Sequence, residues 1–542
     1  MARSPAALSA LSSRTGLRRV LGAYALYDFV EFSVWLAVIL WAFDVDGAGL
    51  AGLAAMIQLV PAALVAPAIA SMGDRMPRGT ALVVAHALVA LTCALTMVAL
   101  WAEAPVPVVI AAATSATTAF AVVRPIHFAA LPQLAASPDE LVSANSLSSV
   151  ADGTLRFLGP VAAGLVVAAF GYWHVLAIGA LLGLVAAVLC GGLNLGAPVA
   201  DAEVGGLRAA FEGIVALRGD WGSLALLLVL TVDFVLAGAL DVLGVSYAQD
   251  VLGMEAAAVG LIVGSIGIGG LLGAVAGASL SRGRRLAPVV VAGGVVEGLG
   301  FAAVAFVGAL TPAVVVLALA GTAGAVMLVS GRTLLQRATD DRVLARVFAI
   351  QESTTLLGIA VGAILAPVLI AWLSPQGAFV PLGIGCALLA LTGIVFIRRL
   401  DARAVYRPQE TSLLRAVPFL SVLPEYDLER LARNARWDVV VPGTVVVRQG
   451  DPGRRFYVVA EGEYAVTVDG ERRPVVLGPG AGFGEIALLH AVPRTATVTA
   501  ETAGRLLVVE ADDFLAAVTG SVDGRAIAAE VSALHLARDA RG

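Results

Sequence analysis

The sequence predicts a two-part fold: an all-α membrane domain of about twelve spans in two six-helix halves, then a soluble α+β domain. Three observations predict it. The 542 residues are 59% hydrophobic and only 14% charged, with a mean hydropathy of +0.91. Soluble chains carry roughly 25% charged residues, so most of this chain does not face water. Apolar runs of helical, bilayer-spanning length recur up to Ile397. Beyond Ile397 the pattern changes to short alternating strands broken by glycine turns.

A hydrocarbon core about 30 Å thick needs roughly 20 apolar helical residues. That ruler places spans near 20–43, 49–72, 80–101, 106–132, 144–170, 173–194, 222–246, 257–280, 287–308, 311–333, 344–373 and 377–397. Arg14, Arg18 and Arg19 precede the first run, as in a signal peptide. That run is too long for one and carries Asp28 and Glu31, so it is expected to stay as a span.

Arginine placement predicts orientation. One set of connections holds Arg75 and Arg78, Arg208 and Arg218, Arg282, Arg284 and Arg285, then Arg337, Arg342 and Arg346. The alternate connections hold none, so both termini are expected in the cytoplasm of a bacterial inner membrane.

The halves are related by a near-constant offset. Asp28-Phe29-Val30 recurs as Asp233-Phe234-Val235, Arg75 as Arg282, and Arg124 as Arg332, at spacings of 205, 207 and 208 residues. Parallel repeats of this kind place a transport site at their interface. Between them, Leu207, Phe211, Ile214 and Leu217 are spaced for one face of a cytoplasmic helix. The expected divisions are a cytoplasmic segment 1–19, halves at 20–197 and 221–400, a linker helix 198–220, a linker 401–412 and the soluble domain 413–542.

Charges inside apolar spans are functional candidates, because a mid-bilayer carboxylate costs about 2.5–3.5 kcal/mol on insertion scales. Asp28 and Glu31 share a helix face at i, i+3, and Asp233 is the repeat counterpart of Asp28. Asp152 and Arg156, at i, i+4, are spaced to neutralise each other. A carboxyl group in a low-dielectric interior favours its neutral form, which suits a proton carrier. We therefore expect Asp28, Glu31 and Asp233 to line the cavity and exchange protons for substrate, with structural capping as the alternative. Glu297 and Glu352 lie in the ninth and eleventh spans, and Glu297 reads better as structural. His86 and His127 read as packed polar contacts. Cys93, Cys190 and Cys386 lack CxxC spacing and a histidine pair, so neither a disulfide framework nor a metal site is expected.

Gly73-Asp74-Arg75-Met76-Pro77-Arg78-Gly79 follows the second span. It resembles the signature loop of the major facilitator superfamily, with Pro77 where that loop usually has glycine. The resemblance implies gating roles for Asp74, Arg75 and Arg78. Arg124-Pro125, Leu131-Pro132-Gln133-Leu134 and Glu140 to Asn145 look like the branch holding macrolide and siderophore exporters, as do Leu334-Leu335-Gln336-Arg337 and Arg346-Val347-Phe348. That likeness spans roughly residues 15–400 and implies efflux of a small molecule.

The tail carries Phe483-Gly484-Glu485-Ile486-Ala487-Leu488-Leu489, then Pro493-Arg494-Thr495-Ala496-Thr497-Val498. This closely resembles the phosphate-binding cassette of cyclic-nucleotide-binding domains, a jelly-roll barrel with flanking helices. Closely spaced glycines permit tight turns, and a short helix starting near Gly484 aims free amides at an anion. Arg494 offers a forked cationic donor for exocyclic phosphate oxygens. The resemblance implies binding through Gly484, Glu485, Ile486, Ala487, Arg494, Thr495 and Ala496, with Glu485 accepting from the ribose 2′-hydroxyl. Thr495 occurs in both cGMP- and cAMP-responsive members, and cAMP is ranked ahead of cGMP as the regulatory ligand. Ile527, Val531 and Leu534, on a final helix near 525–538, are expected to form a lid.

The combined expectation is a secondary transporter regulated by cyclic nucleotide, with a small-molecule substrate, the lipid bilayer as its setting, and no cofactor or nucleic acid. A nucleotide-gated channel or a membrane-anchored receptor is the alternative, although no TVGYG-like filter or arginine-periodic span is present. No nucleophile elbow, Walker loop or metal cluster points to an enzyme.

Overall fold

The computed structural model describes residues 15–73, 76–134, 138–193, 195, 220–281, 283, 285–339, 341–404, 407–421, 423, 425–489 and 492–520. The chain divides into two compact units. One comprises Leu8–Leu134 with Ala144–Ala404, and the other includes Val405–Gly542.

The described residues of the first unit form helices: α1 Thr15–Gly73, α2 Arg78–Trp101, α3 Val106–Leu134, α4 Pro138–Phe170, α5 Tyr172–Cys190, α6 Trp221–Ser246, α7 Ala256–Leu280, α8 Ala287–Ala303, α9 Leu310–Ala338, α10 Asp341–Leu373 and α11 Pro375–Arg403. Helices suit a bilayer because they satisfy their own backbone groups. Among the described residues, eleven helices are long and apolar enough to cross a membrane. Twelve spans were expected, and the difference lies in α1. It runs through the first two expected spans as one element, broken at Asp46 (φ −151°, ψ 36°) and Gly47 (φ +66°, ψ −162°). Only glycine takes that second conformation without strain, so Gly47 makes the turn between two spans with almost no loop.

The arginine-free end of this unit is closed by contacts between the halves. Asp44 accepts hydrogen bonds from the Tyr172 hydroxyl within its own half and, across the halves at 3.2 Å, from Gln249 Nε2. Along α4 and α7, Gly260 lies on the Pro160 carbonyl and Gly164 on that of Ala256, too close for any Cβ. Gly52 in turn packs on the Ala363 carbonyl of α10. At the other end, Asp401 of α11 accepts from the backbone amides of Leu286 and Ala287 at 3.2 and 3.3 Å, capping α8. Arg337 is buried there and donates to the carbonyls of Gly283 and Ser281 at 2.9 and 3.0 Å, so it holds a loop together as well as contributing charge.

The second unit begins with α12 Pro408–Ala416 and α13 Glu425–Asn434. Arg407 donates to the Ala435 carbonyl at 2.8 Å, and Trp437 Nε1 donates to Glu410 at 3.1 Å, fastening α12 to the first strand. The strands are β1 Arg436–Val440, β2 Val445–Val447, β3 Arg455–Glu461, β4 Tyr464–Val468, β5 Glu471–Leu477, β6 Gly482–Phe483, β7 Thr497–Ala500 and β8 Gly504–Glu510. Helix α14 Glu485–Leu489 interrupts them and α15 Ala511–Gly520 follows. They form two antiparallel four-stranded sheets, β1-β8-β3-β6 and β2-β7-β4-β5. A turn at Gly443 parts β1 from β2. One core lies between sheet and helices, where Phe456 stacks on Phe514 at 4.7 Å and Phe419 meets both edge-on. The other fills the barrel, with Tyr457 stacked on Phe483 at 5.0 Å.

Candidate functional site

Local chain geometry builds a cavity in the second unit. The two-residue strand β6 pairs with β3, Tyr457 opposite Phe483, which delivers the chain to Gly484 at φ +94°. From there α14 starts at once, so Glu485 is buried beneath its first turn. Across the cavity, the turn at Gly450-Asp451 grips the backbone of Arg494 from both sides. Gly450 N donates to the Arg494 carbonyl at 2.9 Å, and Arg494 N donates to the Asp451 carbonyl at 2.8 Å. The Arg494 side chain is 6% exposed. It donates from Nη1 to the Gly484 carbonyl at 2.9 Å and from Nη2 to the Arg455 carbonyl at 2.7 Å. Its guanidinium also lies 5.8 Å from the Tyr457 ring centre. Burial pushes the guanidinium below its ordinary value, while Tyr457 and Glu485 act the other way.

The resulting cavity has a volume of about 570 Å³. Gly484, Glu485, Ile486, Ala487, Arg494, Thr495 and Ala496 all line it. Apolar side chains from the facing sheet, Val447, Val466, Val475 and Leu477, complete the wall, together with Arg473 of β5. Reading the sequence missed these five. Their signal is the alternation of β2, β4 and β5, which puts every second residue on the barrel's inner face. Ile527, Val531 and Leu534 lie outside the described residues, as do Asp74, Arg75 and the 198–219 segment. Arg78, the third member of the signature loop, is the first residue of α2.

A second cavity, of about 240 Å³, lies between the two halves of the membrane unit. Its lining includes Glu31, Trp35, Thr117, Arg124, Arg156 and Asp241. Arg124 is the hub. Its Nη2 lies 2.7 Å from Asp152, 3.4 Å from Asp28 and 3.7 Å from Glu31. Trp35 Nε1 of α1 donates to Asp241 of α6 at 2.9 Å, joining the halves through the cavity wall.

Two expectations change here and one is extended. Asp152 lies within the field of Arg156, as its spacing suggested, and in addition hydrogen-bonds Arg124, while Arg156 also lies over the Phe32 ring at 5.0 Å. Asp28 is fully buried behind the lining, on Arg124. Asp233 is not among the lining residues. It lies with Glu297 against Gly324 of α9, where the missing Cβ leaves room for both carboxyl groups. Asp241 was overlooked, although its position in an apolar span was signal enough. His127 shares a 3.0 Å hydrogen bond with Ser148 and stacks on Tyr24, as expected of a packed polar contact.

The Major Facilitator Superfamily model matches residues 20–307, just over half of the chain. The chain belongs to that superfamily. A second model, for the cyclic nucleotide-binding domain, matches residues 438–520, so the chain is a fusion of the two. Its membrane part is a multi-pass transporter domain. Curated relatives match through the tail. A cAMP-dependent protein kinase regulatory subunit of Yarrowia lipolytica is 38% identical over 143 residues, 26% of this chain and 38% of that protein. A cyclic nucleotide-gated potassium channel of Mesorhizobium japonicum is 42% identical over 102 residues, 19% of this chain and 28% of the channel. The chain thus spans about a third of the length of these relatives. Among solved structures, the regulatory domain of Toxoplasma gondii PKA with cAMP matches at 27% identity over 26% of this chain and 55% of that one, with a TM-score of 0.22.

Proposed function

We propose that the chain is a proton-coupled exporter of small amphipathic organic molecules, regulated by a cyclic nucleotide in its C-terminal domain. The carrying observation is the convergence of Gly484, Glu485, Arg494 and Thr495 on one cavity, in a chain whose other part is a transporter domain. A buried guanidinium held by two neutral carbonyls keeps its positive charge on offer to a phosphate. Glu485, buried at the head of α14, is placed to accept from a ribose hydroxyl. The valines and leucine of the facing sheet suit a purine face. Relatives named as cAMP-dependent kinase regulatory subunits support cAMP ahead of cGMP.

In the membrane, Glu31, Asp241 and Arg156 give the inter-half cavity both signs of charge among aromatic walls. That lining suits an amphipathic molecule, with Asp28, Glu31 and Asp152 exchanging protons around Arg124. The arginine-rich connections support a bacterial inner membrane with both termini in the cytoplasm. Asp74, Arg75 and Arg78 gate the transition between states. Ile527, Val531 and Leu534 close over the base, and ordering of that lid biases alternating access. Calorimetric titration of the purified full chain with cAMP and cGMP tests the nucleotide half of this reading. Flux from proteoliposomes with and without the nucleotide tests the transport half. Binding without any flux would favour a membrane-anchored receptor, and ion current would favour a channel.

A further inference from the structure

Asp28 and Asp233 occupy equivalent places in the two halves, yet their surroundings differ. Asp28 faces the Arg124 guanidinium at 3.4 Å. Asp233, on α6, faces a second carboxyl group instead. A Cβ placed on Gly324 of α9 would lie 2.6 Å from Glu297 Oε1 and 2.8 Å from Asp233 Oδ1, so both acids converge on one point. Glu297 is 6% exposed, and its side chain is within hydrogen-bonding reach of Asp233. Glu297 Oε2 is buried with no hydrogen-bond partner.

Among the described residues, the neighbours supply no compensating cation at this point. Gly294 and Gly298 let α11 pack directly on α8, and the titratable group α11 presents is Cys386, whose thiol donates to the Gly294 carbonyl at 3.7 Å. Helix α9 presents Gly324 and Met327. Its first guanidinium beyond them is Arg332, eight residues on, about 12 Å of helix. A repeat offset of 207 carries Glu297 back to Ala90, so the second acid belongs to this half alone.

Two ionised carboxylates are acceptors only and cannot hydrogen-bond to each other. Contact between them in a water-poor interior requires one proton between the pair. We propose that Asp233 and Glu297 form a proton-binding site of the C-terminal half, holding one shared proton that loads and unloads during transport. This deepens the proton-coupled reading above and rests on it. The N-terminal half sets a guanidinium among its acids, whereas this pair is held together by a proton.

The test is infrared difference spectroscopy of the purified full chain in detergent, titrated between about pH 5 and pH 9. The wild type is expected to show, among its protonated-carboxyl bands, one that belongs to this pair and disappears as pH rises. Glu297→Gln and Asp233→Asn should each abolish that titration, because the new amide supplies the hydrogen that the proton supplied. Asp28→Asn should retain it. If one variant fails to fold, the other carries the test. A titration unchanged in both overturns the proposal, and so does a band that persists across the whole range, which marks a fixed structural bond. A band shifted by added sodium at constant pH also overturns it, in favour of a metal cation. The readout needs no substrate and no nucleotide. Absent flux with the titration intact would therefore count against the transporter reading and not against the site.

Discussion

The two cavities each contain two arginines and use them in opposite ways. In the tail, Arg473 and Arg494 meet one lining carboxylate, Glu485, and Arg494 spends its donors on neutral carbonyls. In the membrane unit, Arg124 and Arg156 share their surroundings with Glu31 and Asp241 in the lining and with Asp28 and Asp152 behind it. One pocket therefore carries more arginine than carboxylate in its lining and suits an anion. The other has carboxylates left over and suits a proton or a cationic group. The residue types are the same, and the balance of acids around each guanidinium decides what the site recognises.

The sharpest way to break this contrast is to remove each hub. Arg494→Ala removes the donor fork and is expected to weaken cyclic nucleotide binding by about 2–5 kcal/mol, at least 30-fold in Kd, read by calorimetry on the full chain. Arg124→Ala takes the bonded cation from Asp28, Glu31 and Asp152 and is expected to cost up to about 3 kcal/mol of stability. Adding Asp152→Asn should recover part of that loss, read as the thermal unfolding midpoint in detergent. Glu485→Gln, which keeps shape and removes charge, should weaken nucleotide binding by about 1.5–3 kcal/mol, roughly 10- to 100-fold, with midpoint unchanged. Trp35→Phe, which takes one donor from Asp241, should have the smallest effect, a midpoint drop matching about 0.5–1.5 kcal/mol. A larger effect from Trp35→Phe than from Arg124→Ala would contradict the role of Arg124 as hub.

Much of this was legible in the residues. Bilayer-length apolar runs gave the helices, and the Phe483–Val498 stretch gave the nucleotide cavity, because contiguous residues build most of its wall. What stayed hidden is assembled from distant positions. Pairing of Asp152 with Arg124, 28 residues away, competes with the nearer Arg156 and depends on how α3 meets α4. The convergence of Asp233 and Glu297 depends on Gly324, a residue with no side chain to attract notice. The turn between the first two spans was placed correctly in sequence, but Gly47 makes it so tight that the helices read as one.

The central claim is that nucleotide in the tail biases the conformation of the transporter domain, and cysteine accessibility tests it most directly. Thr117 lines the membrane cavity, and the described native cysteines Cys93, Cys190 and Cys386 are all buried, so Thr117→Cys provides a single reporter. Saturating cAMP is expected to change its maleimide labelling rate by about 5- to 150-fold, the range of ordinary allosteric coupling. The change should vanish when Arg494→Ala is added. A labelling rate that stays the same while calorimetry shows cAMP bound would contradict the account.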